Sequence, residues 1–434
     1  MTDKPTAGQA LSETGRAVAA SPITKIVGFL ICVELASGVL QGFYTPLFTD
    51  IARHLSIKDA DVNWFEAAQL IVSALAVPLL ARLGDLIGHR KVLLLSTVVT
   101  AIASWGVAFA PTFGTFLVAW ALQGFYIVWL PMEVAIIHRR TAGDERRVRG
   151  AAGLLVFGLE LGVIAGALTS GALATSLGMT GLLALPAIVV TLSLAAIWYG
   201  VEESPPLASG AIDWHGFALL TVALGLVMGG LVLLRVQGPE SPVPWVVVLA
   251  GLVALWPFAR AELAHPAPLV DLRILGSRGQ WPIQTTAFLF GVSVLGAQIP
   301  LSTFARTDPT VTGYGLGLSA ASVSIIIGAY VLSLAVGALL LHVLGQRIGT
   351  RLALVIAGGF VAVGYLLFLP FHDTLTQTLT NMVVAGLGSG ALVAGLPVAA
   401  ATVAPPDYTG LVTGMTNTTK TIGGAFASSI FAIA

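Results

Sequence analysis

Thirteen long stretches of mostly apolar residues dominate this 434-residue chain. A helix needs about 20 residues to cross ~30 Å of hydrocarbon, and long unbroken apolar runs favour helices over the alternating strands of a membrane barrel. Only 10% of the residues are charged, against about 25% in a typical soluble domain, so the chain lacks the polar residues to cover a water-facing surface. We therefore predict an all-α membrane protein whose helices 1 to 13 lie at residues 24–47, 62–83, 91–110, 112–138, 150–174, 180–200, 214–235, 244–260, 281–304, 318–343, 350–370, 376–402 and 409–434.

The composition and short motifs exclude several other classes of protein. Lys+Arg and Asp+Glu balance at 21 each, so no overall field attracts nucleic acid. The single cysteine, Cys32, excludes an internal disulfide and a cysteine-based zinc site. No lysine follows a glycine, as a phosphate-binding loop requires, and no histidine precedes a glutamate, as a zinc protease motif requires. We expect no enzyme activity, no metal and no cofactor; a membrane enzyme or receptor is the contrasting class.

The distribution of Lys and Arg predicts the orientation in the membrane. With residues 1–23 placed in the cytoplasm as a polar tail, sixteen Lys and Arg residues fall on the inner side and four on the outer side. Cytoplasmic loops carry this excess of positive charge. The N-terminus is therefore predicted to be cytoplasmic, and residues 1–21 lack the apolar core of a secretory signal.

A short internal repeat divides the chain into two halves. Residues 87–90 read Ile-Gly-His-Arg and residues 348–351 read Ile-Gly-Thr-Arg, and each follows the second helix of a six-helix half if helices 7 and 8 are an insertion. Two repeated halves with a binding site between them near the membrane midplane are typical of transporters, and they favour alternating access over a channel.

The loop between helices 2 and 3 resembles the signature of the major facilitator superfamily. Leu83, Asp85, Gly88, Arg90 and Lys91 match it, although Ala81 and Leu86 replace a glycine and an arginine. Gly88 permits a tight turn, and Asp85 with the basic pair can bridge the two halves on the cytoplasmic side; a purely topological role of the positive charges is the alternative.

Further motifs resemble the fourteen-span drug:proton antiporter branch of this family. The matching residues lie in helices 2, 4, 7, 13 and the segment after helix 8, at Trp64, Pro78, Leu122, Gln123, Gly124, Pro131, Asp213, Trp214, Gly216, Pro268, Leu269, Val270, Asp271, Leu272, Asn417, Gly423 and Gly424. The chain departs from the branch at Trp120, Val163 and Ala167, which replace Arg, Pro and Gly, and at Leu40, where the branch has Asp. We interpret the chain as a divergent member, with a fourteenth helix beyond residue 434.

The resemblance implies the architecture of two six-helix bundles with two extra helices inserted between them, thirteen of the fourteen spans being present here. It predicts an N-terminal bundle at 24–205, the inserted helices and linker at 206–275, and a C-terminal bundle at 276–434. It also implies a monomer in the lipid bilayer of the plasma membrane, with the proton gradient as energy source.

Four glutamates lie within predicted helices of the N-terminal half, without any Lys or Arg. Glu34 and Glu160 lie about ten residues into their helices, or about 15 Å at ~1.5 Å per residue, which is near the midplane. A charge within a span costs about 2.5–3.5 kcal/mol, so each acid needs a partner or a cavity. We predict that Glu34 and Glu133 face a central cavity and that proton coupling resides in Glu34, Glu133 and Glu160. The alternative, favoured for Glu66, is a protonated carboxyl that donates to a neighbouring carbonyl.

Neutral polar and aromatic side chains on helices 1, 2 and 4 predict the rest of a substrate site. Such groups suit flat, partly apolar ligands and offer cation–π contacts, although lipid-facing or interfacial positions would explain the aromatics equally well. The candidate substrate-binding residues are Glu34, Gln41, Gln69, Trp120, Gln123, Tyr126, Trp129 and Glu133.

Two further features predict how the halves move. Lys420 is the only basic residue within a predicted helix interior, and a packing or gating role is expected for it; pairing with an acid of the N-terminal half is the sharper hypothesis. Gly158, Gly162 and Gly166 repeat every fourth residue of helix 5 and permit close approach of another helix, which we expect to be helix 10 across the interface. Ordinary tight packing is the alternative.

These features together predict a proton-coupled exporter of drugs or of small, cationic or neutral, amphipathic metabolites, and hence a role in antibiotic resistance. A cationic cargo favours the ionised carboxyl, so cargo and proton compete for the same charge, which produces antiport. The alternative is a carrier of lipids or of a specific metabolite without strict proton antiport. An anionic sugar phosphate is disfavoured because it would need arginine in the cavity.

Overall fold

The computed structural model describes residues 27–141, 145–202, 212–265, 268, 270–404 and 409–433. Each of the thirteen predicted stretches corresponds to one helical segment. These are α1 (Leu30–His54), α2 (Asp59–Ile87), α3 (His89–Phe109), α4 (Phe113–Arg140), α5 (Glu145–Leu173), α6 (Met179–Gly200), α7 (Trp214–Gln237), α8 (Pro242–Ala264), α9 (Trp281–Arg306), α10 (Ala320–Ile348), α11 (Thr350–Leu366), α12 (Leu375–Val403) and α13 (Thr409–Ile433).

Most of these helices have the length and composition of membrane spans. Among the described residues, eleven are long and apolar enough to cross a membrane, and α11 is a shorter apolar helix. The remaining helix, α13, has 25 residues, but its first half is polar and contains Asn417 and Lys420. The chain is therefore a multi-pass membrane protein.

Local sequence explains where several helices begin and turn. Asp213 accepts a hydrogen bond from the backbone N–H of Gly216 at 2.8 Å and so caps the start of α7. Gly88 (φ 106°) and Gly349 (φ 84°) adopt backbone conformations that side chains disfavour, at the α2–α3 and α10–α11 turns. The two turns of the internal repeat thus have the same geometry.

The helices pack as two groups, α1–α6 and α9–α13. Helices α2 and α13 pack together across the interface, as do α5 and α10, and the end of α1 at Phe48–His54 contacts the end of α9 at Gln298–Arg306. Helices α7 and α8 form a hairpin in which Gly230 and Gly251 allow close backbone approach. The hairpin contacts the bundles mainly through α7, which packs against α13 and α2.

Candidate functional site

Glu34 on α1 and Glu133 on α4 are electrostatic partners inside the N-terminal bundle. Both side chains are completely buried, and none of their four oxygens has a hydrogen-bond partner in the described part of the chain. Two buried carboxyls that interact in this way do not both carry charge, because like charges in a low dielectric repel strongly. The pair is therefore suited to hold a proton.

This acid pair lies between two helices, which differs from the open cavity wall that we predicted. The nearest cation acting on Glu133 is Arg140, two turns along α4, whose guanidinium also donates to the carbonyl of Val27 at 3.4 Å. At ~1.5 Å per residue those two turns are about 10 Å, so Arg140 acts on the pair from the C-terminal end of α4.

A break in α4 positions Glu133. The segment Gly124–Val128 is a 3-10 helix, and Pro131 cannot donate the next helical hydrogen bond. Gly124 lies directly against the backbone of Gln69 on α2, and the Ser73 hydroxyl donates to its carbonyl at 2.9 Å. A side chain at residue 124 would separate α4 from α2, so this glycine determines where the break occurs.

Two predicted substrate residues, Trp120 and Gln123, belong instead to the packed core. Trp120 is 2% exposed and stacks among Tyr44, Phe65 and Phe116, with ring centroids 4.6–5.7 Å apart. The amide of Gln123 donates to both Tyr44 and Ser104 at 3.0 Å. These partners satisfy both donors of the amide, so in this conformation neither residue presents a surface to a ligand.

The other predicted substrate residues differ in accessibility. Gln41 is partly exposed and donates to Ser37 at 3.4 Å, whereas Gln69 is buried. Trp129 is completely buried and contacts the edge of Tyr126, with ring centroids 6.2 Å apart. Tyr126 lies within electrostatic range of both Glu34 and Glu66. Gln41 and Tyr126 therefore remain the most accessible members of the predicted wall.

A charged pair connects the two bundles. Glu160 on α5 and Lys420 on α13 are each other's electrostatic partners, and both are partly buried. Tyr330 on α10 also lies within range of Glu160. No direct ion pair joins the two charges among the described contacts. The pairing of Lys420 with an acid of the N-terminal half therefore stays a prediction.

The C-terminal bundle contains a network of neutral groups that the sequence analysis missed. Gln284 on α9 donates to Thr416 at 3.0 Å and accepts from Thr419 at 3.1 Å. A cavity of about 30 Å³ beside it is lined by Asn417 and Lys420. This cavity has room for only one or two water molecules. The only sequence signal was the polar first half of α13.

A cross-bundle contact at the outer end was also missed. Arg306 on α9 donates to both carboxylate oxygens of Asp50 on α1 at 2.6 Å. Nearby, Gln298 donates to the Thr45 hydroxyl at 3.1 Å, and Ser302 donates to the Thr45 carbonyl. We call these five residues the outer clasp. Charge-assisted bidentate contacts are strong, so the clasp holds this end of the interface closed.

The motif between α2 and α3 makes its described contacts within its own bundle. Asp85 lies 3.4 Å from His89, and Arg90 donates to the Trp198 carbonyl on α6 at 2.9 Å while lying over its ring. Lys91 is exposed. Gly88 makes the tight turn that we predicted, but the predicted bridge from Asp85 to the C-terminal half is absent from the described contacts.

The glycine stripe of α5 faces a different helix from the one predicted. A Cβ at Gly158, Gly162 or Gly166 would collide with Ile31, Leu35 or Val39, all on α1. The stripe thus packs α1 and α5 within one bundle. Helix α10 contacts another face of α5, where the Ser324 hydroxyl donates to the Ala167 carbonyl at 2.7 Å. Our expectation of a sliding glycine interface with helix 10 was wrong because this second face, ending at Gly171, meets α10.

The sequence pattern of the Major Facilitator Superfamily matches residues 30–428, almost the whole chain. The chain belongs to the major facilitator superfamily. The solved structure of a mutant of the nucleoside transporter NupG covers 93% of this facilitator chain and 89% of its own, with a TM-score of 0.65 and 15% identity. This likeness establishes the shared fold.

Two curated relatives are similar over much of the facilitator chain. The uridine/deoxyuridine transporter of Lactococcus lactis is 25% identical over 314 residues, which cover 70% of this chain and 64% of the relative. The multidrug resistance protein Stp of Mycobacterium tuberculosis is 23% identical over 398 residues, which cover 88% of this chain and 70% of the relative. The chain thus spans less than two thirds of the first relative.

The major facilitator superfamily is a family of transporters that are not enzymes. The polar groups described above are two buried acids in the N-terminal bundle, an acid and a lysine on opposite bundles, and a clasp that joins the bundles at one end.

Proposed function

We propose that this facilitator is a proton-coupled exporter of small, cationic or neutral, amphipathic molecules, including drugs. The observation that carries the proposal is the complete burial of the two interacting carboxyls of Glu34 and Glu133 without a hydrogen-bond partner in the described part of the chain. With one proton the pair carries a single negative charge, and opening the bundle to water or to a cationic cargo releases that proton. Proton binding and cargo binding then exclude each other, which drives antiport.

The chemistry of the surroundings supports a cationic or neutral cargo. The interacting acids provide negative charge, and Gln41 and Tyr126 provide neutral contacts beside them. No arginine lies in the interior of the described helices at the depth of Glu34 to offer a bidentate site for phosphate. The similarity to the multidrug resistance protein Stp adds support for drug export.

A carrier of a specific neutral metabolite is the second candidate, with a lipid carrier as a further form of it. It is favoured by the amide and hydroxyl network of Gln284, Thr416 and Thr419, because paired donors and acceptors of this kind recognise polar rings. The similarity to the uridine/deoxyuridine transporter points in the same direction. Such a carrier would not require strict proton antiport.

The arrangement in the membrane is part of the proposal. The charge bias favours a cytoplasmic N-terminus, and the family resemblance favours a monomer in the plasma membrane. The matching motifs favour the fourteen-span drug:proton antiporter branch, with bundles at 24–205 and 276–434 and the insertion at 206–275. Under this orientation the outer clasp closes the extracellular end.

Transport measured in proteoliposomes with an imposed pH gradient tests the proposal. Vesicles loaded with ethidium or with radiolabelled uridine are compared with and without the gradient. Gradient-driven ethidium transport, abolished by a protonophore, is expected from the exporter. Uridine transport at the same rate with and without the pH gradient, together with no ethidium transport, would favour the second candidate. Empty vesicles and a Glu34→Gln/Glu133→Gln variant provide the background rates.

A further inference from the structure

A groove of about 500 Å³ lies between the inserted helix α7 and the N-terminal bundle. Its walls are apolar side chains of α2, α4 and α7, among them Trp64, Ile71, Leu117 and Met228. Its volume lies within the ~300–1,000 Å³ typical of ligand pockets. The proposed transport chemistry uses none of these residues.

The groove exists because α7 packs against one side of the bundle only. Leu231 of α7 clusters with Trp64, Ala67 and Ala432, and the Ser429 hydroxyl contacts the Met228 sulfur at 3.2 Å. Towards α4 the helix leaves a gap, and Val232 and Val236 on this side are 44% and 75% exposed. In a membrane protein such an exposed apolar wall faces lipid.

The length of the groove matches one leaflet of a bilayer. Along α2 it extends from Asp61 to Val72, which at ~1.5 Å per residue is about 16 Å. Along α4 it extends from Phe113 to Ala121, or about 12 Å by the same rise. Half of a ~30 Å hydrocarbon core is about 15 Å. The groove therefore runs from the headgroup region to near the midplane.

The only charged residues lining the groove lie at its headgroup end. Arg235, in the last turn of α7, donates to Asp61 at the start of α2 at 3.2 Å. About a quarter of each side chain is exposed, at 26% and 24%. A guanidinium has five N–H donors, so Arg235 can bind a phosphate while it keeps this contact.

From these observations we infer that the groove binds one phospholipid, with an acyl chain along α2, α4 and α7 and the phosphate at Arg235. An apolar channel of one-leaflet depth with a cation at its headgroup end complements this amphiphile in both length and charge. The site gives the inserted hairpin a role, because the bound lipid fills the gap between α7 and α4.

Filling the groove tests this inference. Gly229 lines the groove, and a Cβ there would meet open space, so Gly229→Leu fills it without a clash. Gly225 has equally open surroundings one turn away on the same helix but does not line the groove, so Gly225→Leu is the matched control. Both changes alter helix propensity equally.

Binding of phosphatidylglycerol to the detergent-purified protein is measured by native mass spectrometry. We expect Gly229→Leu to weaken binding about tenfold, the loss of about two buried methylenes, and Gly225→Leu to leave it unchanged. Arg235→Gln should weaken phosphatidylglycerol binding while diacylglycerol, which lacks phosphate, is unaffected. Unchanged binding in Gly229→Leu would overturn the site, and equal binding of diacylglycerol and phosphatidylglycerol to the unaltered protein would overturn the phosphate contact.

A second measurement does not depend on these variants. Phosphatidylglycerol with brominated acyl chains quenches nearby tryptophan, and Trp64 lines the groove. The quenched fraction should fall in Trp64→Phe. No fall would overturn the assignment of the acyl chain, and displacement of the lipid by ethidium would reassign the groove to cargo.

Discussion

The first and fifth helices of the N-terminal bundle pack like their counterparts in the C-terminal bundle, but the two pairs carry opposite charges. In α1–α5, Gly38 and Gly42 lie against the backbone of Leu159 and Val163. In α9–α13, Gly291 and Gly423 lie in the same way against the backbone of Lys420 and Phe288. The repeated scaffold is therefore closely shared.

The charges of these two pairs differ completely. Glu34 and Glu160 lie in α1 and α5, whereas Lys420 is the only charged residue away from the helix ends in the described parts of α9–α13. The glycine contacts establish how each helix pair packs. The charged residues of the two pairs can therefore differ in sign without changing that packing. Under the proposed function, the N-terminal half carries the proton chemistry, and the C-terminal half supplies neutral polar groups and one cation.

Removal of the acid pair should give the largest effect. Replacing Glu34 or Glu133 with Gln removes the site shared by the proton, so gradient-driven uphill transport should disappear while downhill exchange continues. Accumulation against a gradient in proteoliposomes measures this. Glu66→Gln is the matched control, since Glu66 is a buried acid of the same half outside the pair. Full uphill transport by Glu34→Gln would remove proton coupling from the N-terminal half.

Replacing a packed glycine with valine should lower the free energy of unfolding equally in the two halves. In Gly38→Val and Gly291→Val the new side chain collides with backbone, which cannot rotate away, so each should lower the free energy of unfolding by about 3 kcal/mol. Gly153→Val and Gly328→Val, whose surroundings are open, are the controls. Thermal unfolding in detergent measures the differences. A large loss in only one half would contradict the equivalence of the two helix pairs.

Sequence patterns predicted the helices and their turns because both depend on local chemistry. Apolar length alone located all thirteen helices, and the glycine of each repeated loop indicated the positive φ found at Gly88 and Gly349. Helix faces were harder to predict. In a membrane both lipid-facing and buried positions are apolar, so the sequence does not distinguish the packed Trp120 from a cavity wall.

Contacts between distant residues were beyond the reach of sequence patterns. Asp50 and Arg306, 256 residues apart, each lie near a helix end where a charge needs no partner. The glycines of α5 indicated close packing but not the partner, because α1 and α10 contact different faces of the same helix. The acids in the N-terminal half were identifiable from the free-energy cost of a charge in hydrocarbon, although the interaction between Glu34 and Glu133 was not.

At the outer clasp, the effect of a contact between the bundles can be compared with the effect of a contact within one bundle. Arg306→Gln removes a bidentate charged contact worth about 1.5–3 kcal/mol, so the population open at this end should rise about tenfold or more. Spin labels at residues 54 and 311 in a Cys32→Ser background report the separation. Arg53→Gln is the matched control, because Arg53 contacts the same Asp50 at 3.4 Å from its own helix and is 69% exposed. If both variants changed the spin-label separation equally, the contact between the bundles would not be what holds this end closed.

The charge pair across the interface should give the smallest effect, since Glu160 and Lys420 interact without direct contact. Lys420→Met and Glu160→Gln should each slow gradient-driven transport about threefold to tenfold, a coupling of ~0.6–1.4 kcal/mol. Because each substitution removes the same interaction, the double variant should be no slower than the slower single variant, and Lys420→Arg should retain the rate. If the losses of transport rate in the two single variants add in the double variant, the two charges act independently. The opposite charges of the two helix pairs would then have no shared role in transport.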